Sequence, residues 1–268
     1  MRSPGASFDL RAALAKEVES AIAELQDASP APKSVHRCRV HLKRARALAR
    51  IGRLCAPGLA GVFNDSARRV VHTLGAARDL VALSETARAL ATISAKKPGL
   101  ALAAIADALD RARHALAPTR WESVRAALRD LLAMAQVWPE ASPRQIEKGA
   151  VRLVRRARDA CADGHGARTA ALRHEWRKRE KDRFYAVELL GKAWPQDCPR
   201  RRKRGLDLGH ALGQERDLLL LIERIDDDPH IAGGAKAAKR ARRVLRRRCR
   251  KHAAQADRAG AALHRNGA

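Results

Sequence analysis

The chain has 268 residues, 55 of them Lys or Arg against 29 Asp or Glu, a formal net charge of +26 that predicts an anionic partner. Hydrophobic residues make up 46% of it, enough to bury a core, which excludes a disordered basic tail. The opening residues hold no apolar stretch long enough for a secretory signal, and no segment approaches ~20 uninterrupted apolar residues; no membrane partner is expected and the cytoplasm is the default address.

Between Pro and Gly punctuation, apolar positions recur at three- and four-residue steps in Ala-, Leu- and Arg-rich segments with few β-branched or aromatic residues. This predicts an all-α protein with helices over 8–28, 34–55, 60–95, 99–116, 120–138, 143–162, 168–193, 200–226 and 235–260. The breaks carry turn chemistry, as at Pro57-Gly58, Pro98-Gly99, Pro118, Pro139, Pro195 and Asp228-Pro229. Five cysteines, Cys38, Cys55, Cys161, Cys198 and Cys249, never form C-x-x-C and are odd in number; they read as small buried or neutral residues in a reducing compartment.

A gapless shift superposes the two halves: His36 falls on His174 (174 − 36 = 138). The same shift pairs Arg39 with Arg177, Lys43 with Lys181, His72 with His210 and His114 with His252. It also pairs Leu74-Gly75 with Leu212-Gly213, Arg78-Asp79 with Arg216-Asp217, and Pro57 with Pro195. Arg and Leu coincidences are cheap in so biased a composition, but three histidine pairs drawn from ten histidines are not. A tandem duplication is expected, with repeats over 1–140 and 141–268. Two four-helix bundles related by a pseudo-twofold axis, with a groove or channel between the repeats, are the simplest architecture. The helix at 120–138 has no counterpart and is expected as an addition, packed as a hairpin on the 99–116 helix.

At 100° per residue, His36, Arg39, Lys43, Arg46, Arg50 and Arg53 share about a third of one helix's circumference, a cationic rail about 25 Å long. No Asp or Glu occurs from Val35 through Phe63, so no acid at i+3 or i+4 neutralises the rail, and an external anion would relieve its self-repulsion. The competing reading is a solvated face; recurrence of the His-x-x-Arg-x-x-x-Lys spacing at His174, Arg177 and Lys181 weighs against it. His36 and His174 either donate to an anion or bond to a neighbouring backbone or acid. His72, His210, His114 and His252 read as helix-packing histidines, with a secondary ligand role as the alternative. Arg78 and Arg216 are expected to face the channel, with Asp79 and Asp217 either orienting neighbouring Arg or His side chains or pairing across the repeat interface. Gly75 and Gly213 are expected to let two helices approach closely.

The run from Val35 to Arg46, VHRCRVHLKRAR, followed by Leu74-Gly75-Ala76-Ala77-Arg78-Asp79-Leu80, resembles the first half of a CHAD domain, the histidine-bearing α-helical domain. Leu172 to Lys181, LRHEWRKREK, then Tyr185, Glu188-Leu189-Leu190 and Leu212-Gly213-Gln214-Glu215-Arg216-Asp217, resemble its second half. The resemblance covers nearly the whole chain. It implies two four-helix bundles, a basic central channel, inorganic polyphosphate as the partner, and association with polyphosphate granules. The binding set it points to is His36, Arg39, Lys43, Arg46, Arg50, Arg78, Arg173, His174, Arg177, Lys178, Lys181 and Arg216. One departure stands out: Phe184 replaces the equivalent of Arg46 and Glu188 that of Arg50, so the second rail is expected to be shorter.

Arg forks suit phosphate oxygens bidentately, Lys supplies a mobile point charge, and a flexible polyphosphate binds such a rail through counterion release. Aromatics at 3% argue against the stacking platforms of single-strand nucleic-acid binders, and no helix-turn-helix or zinc-finger spacing occurs, though non-specific nucleic-acid binding stays a rival. A metal-dependent hydrolase is the second rival. The chain lacks H-E-x-x-H and a G-x-x-x-x-G-K-[ST] loop, so no catalytic residues, metal or cofactor are expected.

Overall fold

The computed structural model describes residues 8–167 and 169–264. Among them it holds ten α-helices and no strands: α1 (Leu10–Ala23), α2 (Pro32–Ile51), α3 (Pro57–Thr73), α4 (Ala76–Thr92), α5 (Lys96–His114), α6 (Trp121–Gln136), α7 (Pro143–Gly164), α8 (Ala170–Leu190), α9 (Arg202–Asp227) and α10 (Ala235–His264). Short 3-10 turns at Gly52–Leu54, Gly191–Ala193 and Pro229–Ala232 follow α2, α8 and α9. Local chemistry sets several starts. Asp9 caps α1 by accepting from the Ala12 N–H at 2.9 Å, and Pro32 and Pro57 stand in the first turns of α2 and α3, where a missing N–H leaves nothing unsatisfied.

The helix expected over 60–95 is two helices, α3 and α4, parted at Leu74-Gly75. The cause is tertiary. Arg39 of α2 donates from Nη1 to the Leu74 carbonyl at 2.8 Å, capturing an acceptor that a continuous helix would have used itself. A Cβ on Gly75 would lie 2.8 Å from the His72 carbonyl oxygen and 3.0 Å from Arg39 Nη1, so only glycine leaves room for the guanidinium. At Leu212-Gly213 no break occurs, and α9 runs through.

The chain divides into two compact units. The first gathers the chain up to Gly75, Thr119–Ala162 and Lys178–Arg202; the second gathers Ala76–Pro118, Asp163–Arg177 and the chain from Lys203. Each therefore draws segments from both sequence halves. In the first unit α1 packs on α2 and α6, and α3 on α2 and α6. Leu14, Leu42, Leu48, Phe63, Leu128 and Leu131 are fully buried there, and Phe63 meets Trp138 edge-on with centroids 5.9 Å apart. The expectation that the 120–138 helix forms a hairpin with the 99–116 helix does not hold: α6 completes the first unit's core on α1 and α3, while α5 belongs to the second. The buried face of α6, Val124, Leu128, Leu131 and Ala135, explains why: it is a full core stripe rather than a surface addition. The end of α2 meets α7 backbone to backbone, since a Cβ on Gly149 would lie 2.4 Å from the Ile51 carbonyl oxygen. In the second unit α4 packs on α5 and α5 on α10, around Leu83, Leu102, Ile105, Leu221 and Leu245.

A candidate polyanion-binding site

Helix α2 presents its cations in two stripes. On one, Arg37, His41 and Arg44 meet acids that the chain supplies from α1 and the residue after it. Glu17 accepts from Arg44 Nε at 2.9 Å and lies 2.8 Å from His41 Nδ1, and Glu24 accepts from Arg37 Nε at 2.6 Å. That hydrogen bond holds the Glu24 carboxyl below its ordinary range.

The other stripe is the rail. His36 is exposed one turn into the helix. Arg39 is buried against Leu74 as described above. Lys43 and Arg46 are half-buried. Arg46 is brought down to about 10, first by burial, then by repulsion from Arg50 and Arg68, against which Asp182 and Asp65 act. Its buried Nε has no hydrogen-bond acceptor. Arg50 donates from Nη1 to Asp182 Oδ1 on α8 at 3.1 Å, with both side chains largely shielded from water. Arg53 stands exposed in the 3-10 turn, so the rail leaves the helix at its last step.

Two corrections follow. The absence of acids within α2 does not leave the rail without a counter-charge, because Asp182 reaches it from α8, where it also accepts from Arg179 Nη1 at 3.4 Å. Asp182 lies outside the expected set; the shift that pairs His36 with His174 places it on Arg44, an acid opposite a cation, and that inversion is the signal the sequence offers. And Arg39 does not stand off the core as the rail reading implied, since it fastens α2 to the end of α3.

Helix α8 passes from the second unit to the first between Arg177 and Lys178. In its first-unit part Lys178 is exposed and Lys181 half-buried. The fully buried i,i+3 pair Glu180 and Arg183, joined at 2.9 and 2.6 Å within α8, marks the helix's buried face. Glu188 accepts from Arg202, through Nη2 at 2.7 Å.

In the second unit, Arg173, expected among the binding residues, is taken up by the fold. It is 5% exposed, donates to both Glu215 oxygens (2.6–3.1 Å), to Asp257, and to the Gly164 and Ala253 carbonyls, and lies 5.0 Å over the Trp176 ring. Burial works against its charge, but the bonds to Glu215 and Asp257 outweigh it and raise the pKa. It joins the start of α8 to α9, α10 and the end of α7. Its partners lie 42 and 84 residues away, beyond any local pattern. His174 and Arg177 are half-buried beside it. A Cβ on Gly213 would meet Arg177 Nε at 3.9 Å, ordinary contact, so Gly213 is not required for close approach as Gly75 is.

Arg78 is half-buried with Nη1 lacking an acceptor, and Arg216 reaches Glu223 Oε1 at 3.4 Å. The expected packing role fails for His72, His210 and His114, which are exposed; His72 and His114 occupy last helical turns, where the helix dipole favours a cation. His252 is half-buried with Gln255 Oε1 at 2.9 Å. The cysteines are free, and burial pushes the Cys38 and Cys249 thiols up to about 12 and about 11. Among the described residues no three His, Cys, Asp or Glu side chains gather to hold a metal ion, and no helix is long and apolar enough to cross a membrane.

Helices packed through alanine and leucine, with arginines and lysines on their exposed and half-buried faces, define an all-α, strongly basic protein. The chain belongs to the CHAD domain family, whose model matches residues 11–226. No curated protein matches it. Its fold is similar to that of PptA from Streptomyces chartreusis, with a TM-score of 0.67 at 19% identity over 96% of each chain. It is also similar to the CHAD domain from the plant Ricinus communis, with a TM-score of 0.62 at 23% identity over 98% of this chain and 94% of that one.

Proposed function

We propose that the protein binds inorganic polyphosphate without transforming it, along a cationic track on α2 and α8. The observation that carries this is Arg46: a half-buried guanidinium, its Nε without an acceptor, depressed by burial and by neighbouring arginines. Such a group is destabilised as it stands, and a phosphate at the half-buried side chain supplies the counter-charge that relieves it. Lys43 and the exposed His36 on α2, with Lys178 and Lys181 on α8, extend the cationic track, while Arg39 and Arg50 are positioning residues held by the protein itself. Family membership supports the ligand class through the resemblance drawn from sequence.

The arrangement is read as a duplicated one. Pro32 and Ala170 open α2 and α8 at the same displacement that relates His36 to His174. Arg39 lies against Gly75 and Arg177 against Gly213, two contacts related by that same displacement. His174, Arg177 and Arg216 are then the second copy's counterparts. Association with granules follows from the ligand.

Titration calorimetry with graded polyphosphates, on metal-free protein at several salt concentrations, tests this. The triple variant Lys43→Ala, Arg46→Met, Lys181→Ala should weaken binding and flatten the salt dependence by roughly one unit of slope per lost contact. Unchanged affinity in a folded variant, or equal affinity for duplex DNA and polyphosphate, refutes the track.

A further inference from the structure

A second cationic feature lies on the first unit, along α7. Beside the 3-10 turn that follows α2, one face of α7 borders an open groove of about 480 Å³. Its cations are Arg144, Lys148, Arg152 and Arg155, with Glu147 the one acid among them. Its apolar lining is Leu54 and Val151, each 44% exposed.

Arg152 organises the groove. Its Nη2 donates to the Arg50 carbonyl at 2.6 Å, anchoring the guanidinium at the C-terminal end of α2, while its buried Nε has no acceptor. Burial lowers its pKa, and repulsion from Arg53, Arg156 and Arg155 lowers it further. A fixed guanidinium, three exposed cations and one acid make an anion site rather than a rail. The volume falls in the range of small-molecule pockets, and the two apolar side chains give a ligand's carbon skeleton a place to lie.

We infer that this groove binds a phosphorylated small organic molecule carrying a diphosphate group, the phosphates on Arg152, Lys148 and Arg155 and the organic part against Leu54 and Val151. The groove touches the track's helix at the Arg50 carbonyl but shares no lining residue with Lys43, Arg46 or Lys181, and it does not rest on the polyphosphate reading.

The test uses the full chain with two probes, a nucleoside diphosphate and inorganic pyrophosphate, followed by calorimetry at low salt. The nucleoside diphosphate should bind several-fold more tightly than pyrophosphate. The variant Lys148→Ala, Arg155→Ala, altered at exposed positions, should lose at least about tenfold in affinity for both, which corresponds to about 1.4 kcal/mol. A second variant, Val151→Asp, should erase the advantage of the organic probe. Binding of long polyphosphate should change less than twofold in both variants, which separates this site from the track. Equal affinity for the two probes, or affinities that neither variant alters, overturns the inference. Should the track variants leave polyphosphate binding untouched, the groove's own result still stands or falls on these probes.

Discussion

Arg46 offers the sharpest quantitative test. Its guanidinium is brought to about 10 from an ordinary 12.5, so the charged form is disfavoured in the folded protein. At about 1.36 kcal/mol per pH unit that corresponds to roughly 3 kcal/mol; the half-buried side chain keeps some contact with water, and screening reduces the figure to about 1–2 kcal/mol. Arg46→Met keeps length and apolar packing while deleting the charge. It should therefore raise the free energy of urea unfolding by about 1–2 kcal/mol and lower polyphosphate affinity about tenfold. The pH dependence has a defined sign: a base whose folded pKa is depressed destabilises the fold throughout the range below that pKa. The stability gap between variant and wild type should thus be constant from pH 6 to 9 and narrow as pH rises past about 10. A variant less stable than wild type, with binding unchanged, would mean that Arg46 serves the fold and not a ligand.

Asp182→Asn removes the acid that Arg50 and Arg179 share; polyphosphate affinity should rise a few-fold while chemical denaturation reports a loss of about 1–2 kcal/mol. Arg173→Ala leaves Glu215 buried without its bidentate partner and should cost about 3–5 kcal/mol in unfolding experiments, with Arg173→Lys recovering only part. Gly149→Leu drives a side chain into the Ile51 carbonyl and should destabilise by about 1–3 kcal/mol or more, read as a lowered thermal midpoint. Cys38, buried with its thiol pushed up to about 12, should resist a thiol reagent at pH 8 until the protein unfolds.

Helix content and most boundaries were legible because they follow from same-helix periodicity and from Pro and Gly punctuation. The Leu74-Gly75 break was not, because glycine inside an apolar period only weakens a helix; what ends it is a guanidinium from a helix 35 residues earlier. The candidate site was half legible for the same reason. Periodicity identified which cations share a face of α2, but not that Glu17 and Glu24 would claim a different stripe, nor that Asp182 would enter the rail. Arg173 and His174 adjoin in the chain, yet one is locked among acids from α9 and α10 and the other stands beside the lock; only side-chain partners distant in sequence separate them.

The bond from Arg39 to the Leu74 carbonyl makes a cation into a rivet. Most helix seams are closed by oily side chains that could be exchanged without touching the electrostatics of the surface; here a fastener of the frame carries the same sign as the surface it holds. Bleaching α2 of its positive charge would unpick the joint between two helices, so the protein cannot drift toward neutrality along this face and keep its shape.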